Sequence, residues 1–194
     1  MAATLVTDAG EQVDLAPQRW WAAADLVERK LLARLDDPVL DVGCGPGRIV
    51  AALAGEGRVA MGVDPSPRAV DEATRRRAPA LRRSVFDPLP GEGRWGSVVL
   101  LDGNVGIGGD PRALFRRCAA LVRPGGRVVA EVAAPGAPSG PLTVRLEAGG
   151  EAGPWFPWAR LAAGDVAGVA TAAGLRVDGI ECRAGRWFAW VARP

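Results

Sequence analysis

The segment Val39-Leu40-Asp41-Val42-Gly43-Cys44-Gly45-Pro46-Gly47-Arg48 passes from a short apolar strand through a glycine-rich turn and out into a helix. Ile49, Val50 and Leu53 then fall on one side of a helix predicted over Pro46–Ala54. Glycine supplies positive φ and removes side chains where backbone must approach a ligand closely. The helix start adds unpaired N–H groups and partial positive charge. In an open parallel sheet, a strand–turn–helix unit of this kind lies beside the crevice where ligands bind.

Outward from this unit the chain alternates. Strands are expected at Arg58–Val63, Leu81–Phe86, Gly96–Leu101 and Arg127–Val132. Ser66-Pro67 and Asp110-Pro111 each place a capping side chain before a proline at the first helical position, so helices are expected to follow both. The second carries an apolar face of Leu114, Phe115, Cys118, Leu121 and Val122. A helix over Ala163–Ala173 is closed by Gly174, and Leu175–Cys182 with Arg186–Val191 reads as an antiparallel hairpin. The expected fold class is α/β: a doubly wound, mostly parallel seven-stranded sheet with an antiparallel last strand and helices on both faces. Residues 1–35 are expected to form an arm and a cap helix, the first fifteen or so loose and the helix running over Gln18–Leu35. Residues 36–194 form the main domain. A proline-rich insertion at about 133–160, holding a strand at Leu142–Leu146, is expected to lie over the sheet's edge.

The 194 residues suffice for one domain, and 48% apolar with 24% charged residues suits a folded core. The 24 basic and 22 acidic residues leave a net charge of +2, too balanced to suggest a nucleic-acid or membrane partner. The clusters Arg75-Arg76-Arg77 and Arg82-Arg83 read as solvated surface. With no histidine, Ser–His–Asp and Cys–His catalysis are excluded. The three cysteines, Cys44, Cys118 and Cys182, lack metal or disulfide spacing, so no metal site is expected. The acidic N-terminal segment is unlike a targeting peptide, and no stretch approaches a membrane span; a reducing cytoplasm is the expected location.

Asp41, Asp64, Asp87 and Asp102 lie at or near the C-terminal ends of four successive expected strands. In a parallel sheet those ends share one edge, and a carboxylate there can accept hydrogen bonds from both ribose hydroxyls of a nucleoside. Asp64 suits that task; Asp87, with Phe86 beside it, suits an adenine amino group and ring. Simpler readings stand beside these: Asp64 as a cap near Ser66, Asp87 as a turn former before Pro88.

The residues VLDVGCGPGR, GVDPS, VFD and LVRPGGRVV resemble the class I S-adenosylmethionine-dependent methyltransferases over roughly Val39–Ala133. The resemblance implies S-adenosyl-L-methionine as cofactor. Gly43, Cys44, Gly45 and Gly47 would pass its methionine and ribose, Asp41 would orient that turn or meet the amino group, Asp64 and Pro65 would hold the ribose, and Phe86 and Asp87 the adenine. Asp102, Gly103 and Asn104 would flank the methyl group, with Asp102 and Asn104 as candidate catalytic residues. Trp20, Trp21, Asn104 and Trp155 are candidates for binding the acceptor. The Asn/Asp-Pro-Pro-aromatic signature of nucleobase amine methylation is missing, since the chain reads Asp102-Gly103-Asn104-Val105. The expected reaction is methyl transfer to oxygen or nitrogen of a small molecule. A cofactor-binding regulatory protein without turnover and a nicotinamide-dependent oxidoreductase are the alternatives; Arg48 stands where a nicotinamide fold prefers glycine. Arg160 is a candidate for pairing with an anionic substrate, beside a surface role.

Overall fold

A computed structural model describes residues 3–13 and 17–194. Its strands are β1 (Ala3–Thr7), β2 (Gln12–Val13), β3 (Val39–Val42), β4 (Ala60–Asp64), β5 (Ala80–Arg82), β6 (Trp95–Leu100), β7 (Val122–Val132), β8 (Gly140–Ala148), β9 (Glu151–Ala152), β10 (Phe156–Arg160), β11 (Arg176–Arg183) and β12 (Arg186–Ala192). The helices are α1 (Leu26–Leu32), α2 (Arg48–Gly55), α3 (Pro67–Arg75), α4 (Pro111–Leu121) and α5 (Val166–Ala172), with 3-10 segments at Pro17–Trp21, Asn104–Gly109 and Ala163–Asp165.

The main sheet has seven strands in the order β11-β12-β7-β6-β3-β4-β5. β7, β6, β3, β4 and β5 run parallel, and β12 pairs antiparallel with both β7 and β11. The expected mostly parallel sheet with a reversed last strand is therefore present. Alternation along the strands divides the core. Leu40, Val42, Val98, Leu100, Val128 and Ala130 cluster with Leu114, Phe115 and Cys118 of α4 and Val166 and Ala170 of α5. Val39, Val99 and Val129 cluster instead with Leu31 and Leu32 of α1 and Ile49 and Leu53 of α2.

Three expectations need correction. The helix expected over Gln18–Leu35 is broken: Asp25 caps α1, accepting from the Glu28 N–H at 2.8 Å while Glu28 accepts from the Asp25 N–H at 3.0 Å. This capping box starts the helix at Leu26 and leaves Trp20 and Trp21 in a separate 3-10 turn. The third strand ends at Arg82, so Phe86 and Asp87 sit in a turn in which Asp87 accepts from the Ser84 N–H at 3.2 Å. The described part of the N-terminal arm is not loose. β1 pairs with β8, and the insertion becomes a second, antiparallel sheet in the order β10-β8-β1-β2, with β9 on β8. β10 of that sheet packs on Asn104–Gly109, the segment that follows β6, where the Trp158 indole and the Ala159 carbonyl leave no room for a side chain at Gly106. Two distant segments make this sheet, so neither carries a local signal of it. Among the described residues no helix is long and apolar enough to cross a membrane.

β6 is central and buried throughout. A Cβ at Gly96 would lie 2.5 Å from the carbonyl oxygens of Asp36 and Asp37. Gly96→Ala is expected to cost about 2–3 kcal/mol, because backbone cannot move aside as a flexible side chain can. Gly168→Ala, which meets open space in α5, is expected to stabilise by about 0.5–1 kcal/mol. Urea unfolding of the two variants checks both signs.

Candidate functional site

The glycine-rich turn links β3 to α2, and its glycines meet different demands. A Cβ at Gly43 would strike the Asn104 amide at 2.6 Å, and one at Gly47 would strike Ala73 and Ala78 at 2.8 Å. Gly45 has φ +52° with open space where a side chain would project. The turn is tied on both sides. Asp64 accepts from the Gly45 N–H at 3.0 Å and from the Ser66 N–H at 2.8 Å, while the Asn104 amide donates to the carbonyls of Val42 and Gly43, each at 2.9 Å. Cys44 is buried with its sulfur against Gly62, and burial raises its thiol pKa, so it stays neutral.

Asp41, Asp64 and Asp102 gather at the C-terminal ends of adjacent strands β6, β3 and β4, as expected. Asp41 is buried, and desolvation raises its pKa to about 7; Arg48 opposes this, while Asp102, Asp64 and Glu28 add to it. The Asp64 and Asp102 carboxyls are also raised, chiefly by burial. Asp87 belongs to its own exposed turn after β5, and Phe86, 45% exposed, has its ring against Gly108. Pro65 is exposed beside Asp64.

Asp102 adopts φ +53°, a left-handed conformation that aspartate tolerates better than most residues. Its N–H donates to Glu131 at 2.8 Å, one oxygen pairs with Arg48, and the other is buried without a hydrogen-bond partner. Arg48 also pairs with Glu28. Arg186 reaches Glu131 through two hydrogen bonds, at 2.8 and 2.7 Å, and Glu28 at 3.0 Å. Glu28, Arg48, Glu131 and Arg186 were missing from the sequence-based set. Only Glu28 had a local signal, the Asp25-to-Glu28 capping spacing.

Beside Asp102 and Gly103 opens a cleft of about 310 Å³. Glu131 and Arg186 form one wall; Leu142, Trp158 and Arg160 of the second sheet, with Arg19 and Trp187, contribute the rest. Trp20, Trp21 and Trp155 are not among its lining residues. The Trp20 and Trp21 carbonyls accept from Arg76, and the half-exposed Trp155 ring faces Arg145 at 4.7 Å. Asn104 lies next to Gly103 with its amide committed to the glycine turn.

Residues 17–167 match the family described as "Methyltransferase domain". The chain belongs to this family, that of the class I S-adenosylmethionine-dependent methyltransferases. Curated relatives include a "Ubiquinone biosynthesis O-methyltransferase" from Vibrio vulnificus, 32% identical over 46% of this chain and 41% of its own length. A protein of the same description from Methylocella silvestris is 33% identical over 47% of this chain and 38% of its own. The chain thus spans about two fifths of the length of these relatives. Among solved structures, a SAM-dependent methyltransferase from Bacteroides fragilis in complex with S-adenosyl-L-homocysteine has TM-score 0.82 at 20% identity, covering 97% of this chain and 86% of that one. The 1,6-didemethyltoxoflavin-N1-methyltransferase of Burkholderia thailandensis has TM-score 0.63 at 20% identity, covering 92% and 82%. At such identities these structures establish the fold.

The site makes two predictions about stability. Because folding raises the Asp41 pKa, the native state holds an extra proton between about pH 4 and pH 7. The penalty for ionising this buried group therefore appears as pH rises through that window and is complete above it. Asp41→Asn should gain stability over the parent from pH 4 to 7, by on the order of 2–4 kcal/mol, and hold that gain above pH 7. Denaturant melts of both proteins at pH 4.5, 6 and 8 measure it. Arg48→Met removes the guanidinium shared by Glu28 and Asp102 and should cost about 3–5 kcal/mol at neutral pH. A loss under about 1 kcal/mol would mean that these pairs hold little.

Proposed function

We propose that this protein transfers a methyl group from S-adenosyl-L-methionine to oxygen or nitrogen of a small-molecule acceptor. The observation that carries the reading is the carboxylate cluster beside an open glycine turn. Asp41, Asp64 and Asp102 gather there, and one buried Asp102 oxygen accepts no hydrogen bond, with only the longer ion pair to Arg186 at 3.6 Å. Such a surplus of acceptors suits a ligand with a sulfonium, an ammonium and ribose hydroxyls. The chemistry supplied by this cofactor when bound is an activated methyl carbon. Family membership supports the assignment, as does the demethylated form of this cofactor, S-adenosyl-L-homocysteine, in the similar Bacteroides structure.

In this reading, Gly43, Cys44, Gly45 and Gly47 shape the turn over which the methionine portion lies, and Gly45 is where backbone meets ligand. Asp41 tunes the charge beneath that turn. Asp64, with Pro65 beside it, exchanges its backbone bonds for the ribose hydroxyls. Phe86 packs on adenine and Asp87 accepts from its amino group. Asp102 and Gly103 face the ammonium and the reacting carbon. The acceptor enters the cleft bounded by Trp158, Trp187 and Arg186, and Asn104 holds the loop that separates it from the turn. Alignment of nucleophile, carbon and sulfur is the main catalytic contribution, worth roughly 7–11 kcal/mol when geometry is near attack. Asp102, its carboxyl raised by burial, is the group that could take a proton from the acceptor. The doubly wound arrangement, with helices on both faces, is supported by the separate clustering of α4 and α5 and of α1 and α2 against the sheet. Residues 1–35 are a cap on the domain formed by 36–194, with the insertion at about 133–160 shaping acceptor access; the cytoplasm is the proposed location.

Titration calorimetry with S-adenosyl-L-homocysteine and with NAD tests the cofactor, and transfer of a labelled methyl group to a panel of phenols and amines tests turnover. Asp64→Ala should weaken S-adenosyl-L-homocysteine binding about tenfold or more, because hydrogen bonds to a charged acceptor are lost. Unchanged affinity would refute the ribose role. Binding without transfer to any acceptor would favour a regulatory protein.

A further inference from the structure

We infer that the cleft selects acceptors carrying an anionic group, a carboxylate or a phosphate, on an apolar body, with Arg160 as the residue that recognises the charge. The inference rests on the methyl-acceptor reading and specifies its substrate class.

Charge matching within the cleft is uneven. On the β7 and β12 wall, the acidic groups are already served: Glu131 receives two hydrogen bonds from Arg186, and Asp102 pairs with Arg48. β10 contributes Arg160 to the cleft, and this side chain has no ion-pair or side-chain hydrogen-bond partner among the described residues. It is half-buried, so water screens it incompletely. Arg19 lines the same cleft and adds a second cation. Apolar residues line the rest of the cleft: Trp158, Trp187, Leu142, Val105 and Val132.

A guanidinium presents paired donors in a fixed plane, which suits a carboxylate or phosphate more than a neutral polar group. An anion on the acceptor would complete the charge that the protein leaves open at Arg160. It would also orient the apolar body, leaving the end away from Arg160 towards Asp102 and Gly103, where transfer is proposed. Discrimination of this kind comes from one charged contact across an otherwise apolar pocket.

The test is calorimetric binding to the full chain of 4-hydroxybenzoate and 4-aminobenzoate against their uncharged amides, with phenyl phosphate to distinguish phosphate from carboxylate. An anionic probe should bind about tenfold or more tighter than the amides, less so at high salt, and Arg160→Gln should bring it close to the amide value. Equal affinity of acids, phosphate and amides, absence of binding by all probes, or a preference that survives in Arg160→Gln would overturn the inference. The comparison of acid with amide in the parent protein decides the charge preference even if the variant fails to fold. Parallel titration with S-adenosyl-L-homocysteine separates the two readings. If that ligand fails to bind while the anion preference holds, the methyltransferase assignment falls and the anion site stands. If it binds while acids and amides are equal, only the anion site falls.

Discussion

The guanidinium groups of Arg48 and Arg186 hold five separate pieces of chain together. Arg48 opens α2 and grips Glu28 of α1 and Asp102 after β6; Arg186 opens β12 and grips Glu131 of β7 and Glu28 again. All four side chains of Glu28, Arg48, Glu131 and Arg186 are largely removed from water. Taking such charges into the interior is costly, and only close pairing offsets it. The pairing therefore dictates position: α1 cannot slide, and Asp102 is held in its left-handed turn by a bond at its N–H and another at its carboxylate. The network gathers more acid than base, since Asp41 lies within reach of the same field.

The glycine-rich turn divides physical tasks among residues that look alike in one dimension. Gly43 yields space to Asn104, which pins the loop after β6 to the turn; Gly47 yields space to Ala73 and Ala78 and so brings α2 close to α3. Gly45 yields space to nothing in the protein, and it is the position free for a ligand. Asp64 closes the arrangement by bonding the Gly45 N–H. Substitution at any of the three would strain a left-handed backbone, and at Gly43 and Gly47 it would also meet a packed neighbour.

The second sheet shapes the cleft beside Asp102 and Gly103. A family fold tolerates many acceptors, and the distinction among them lies in what surrounds the reacting end of the cleft. Here β1, from the beginning of the chain, and β8 and β10, from the insertion, combine into a sheet that sits on Asn104–Gly109. Trp158 and Arg160 reach the cleft from β10, an edge strand of that sheet. The lining that β10 gives the cleft is thereby separate in the chain from the glycine-rich turn after β3.

Alternation of apolar runs, proline caps and glycine stops was enough to read the parallel sheet, its reversed strand and the helices after Ser66 and Asp110, because each depends on neighbours within one turn or one strand. Asp41, Asp64 and Asp102 were legible as a cluster for the same reason: parallel topology brings strand ends to a common edge. The pairing of β1 with β8, the Glu28–Arg48–Arg186 network and the choice of Trp158 and Trp187 over Trp20, Trp21 and Trp155 in the cleft were decided only by tertiary structure. Their partners lie up to 158 residues apart in the chain, as Glu28 and Arg186 do. Nothing in local periodicity encodes such a meeting, since it arises from which buried charges can be neutralised and which strand edges remain to be paired once the main sheet has formed.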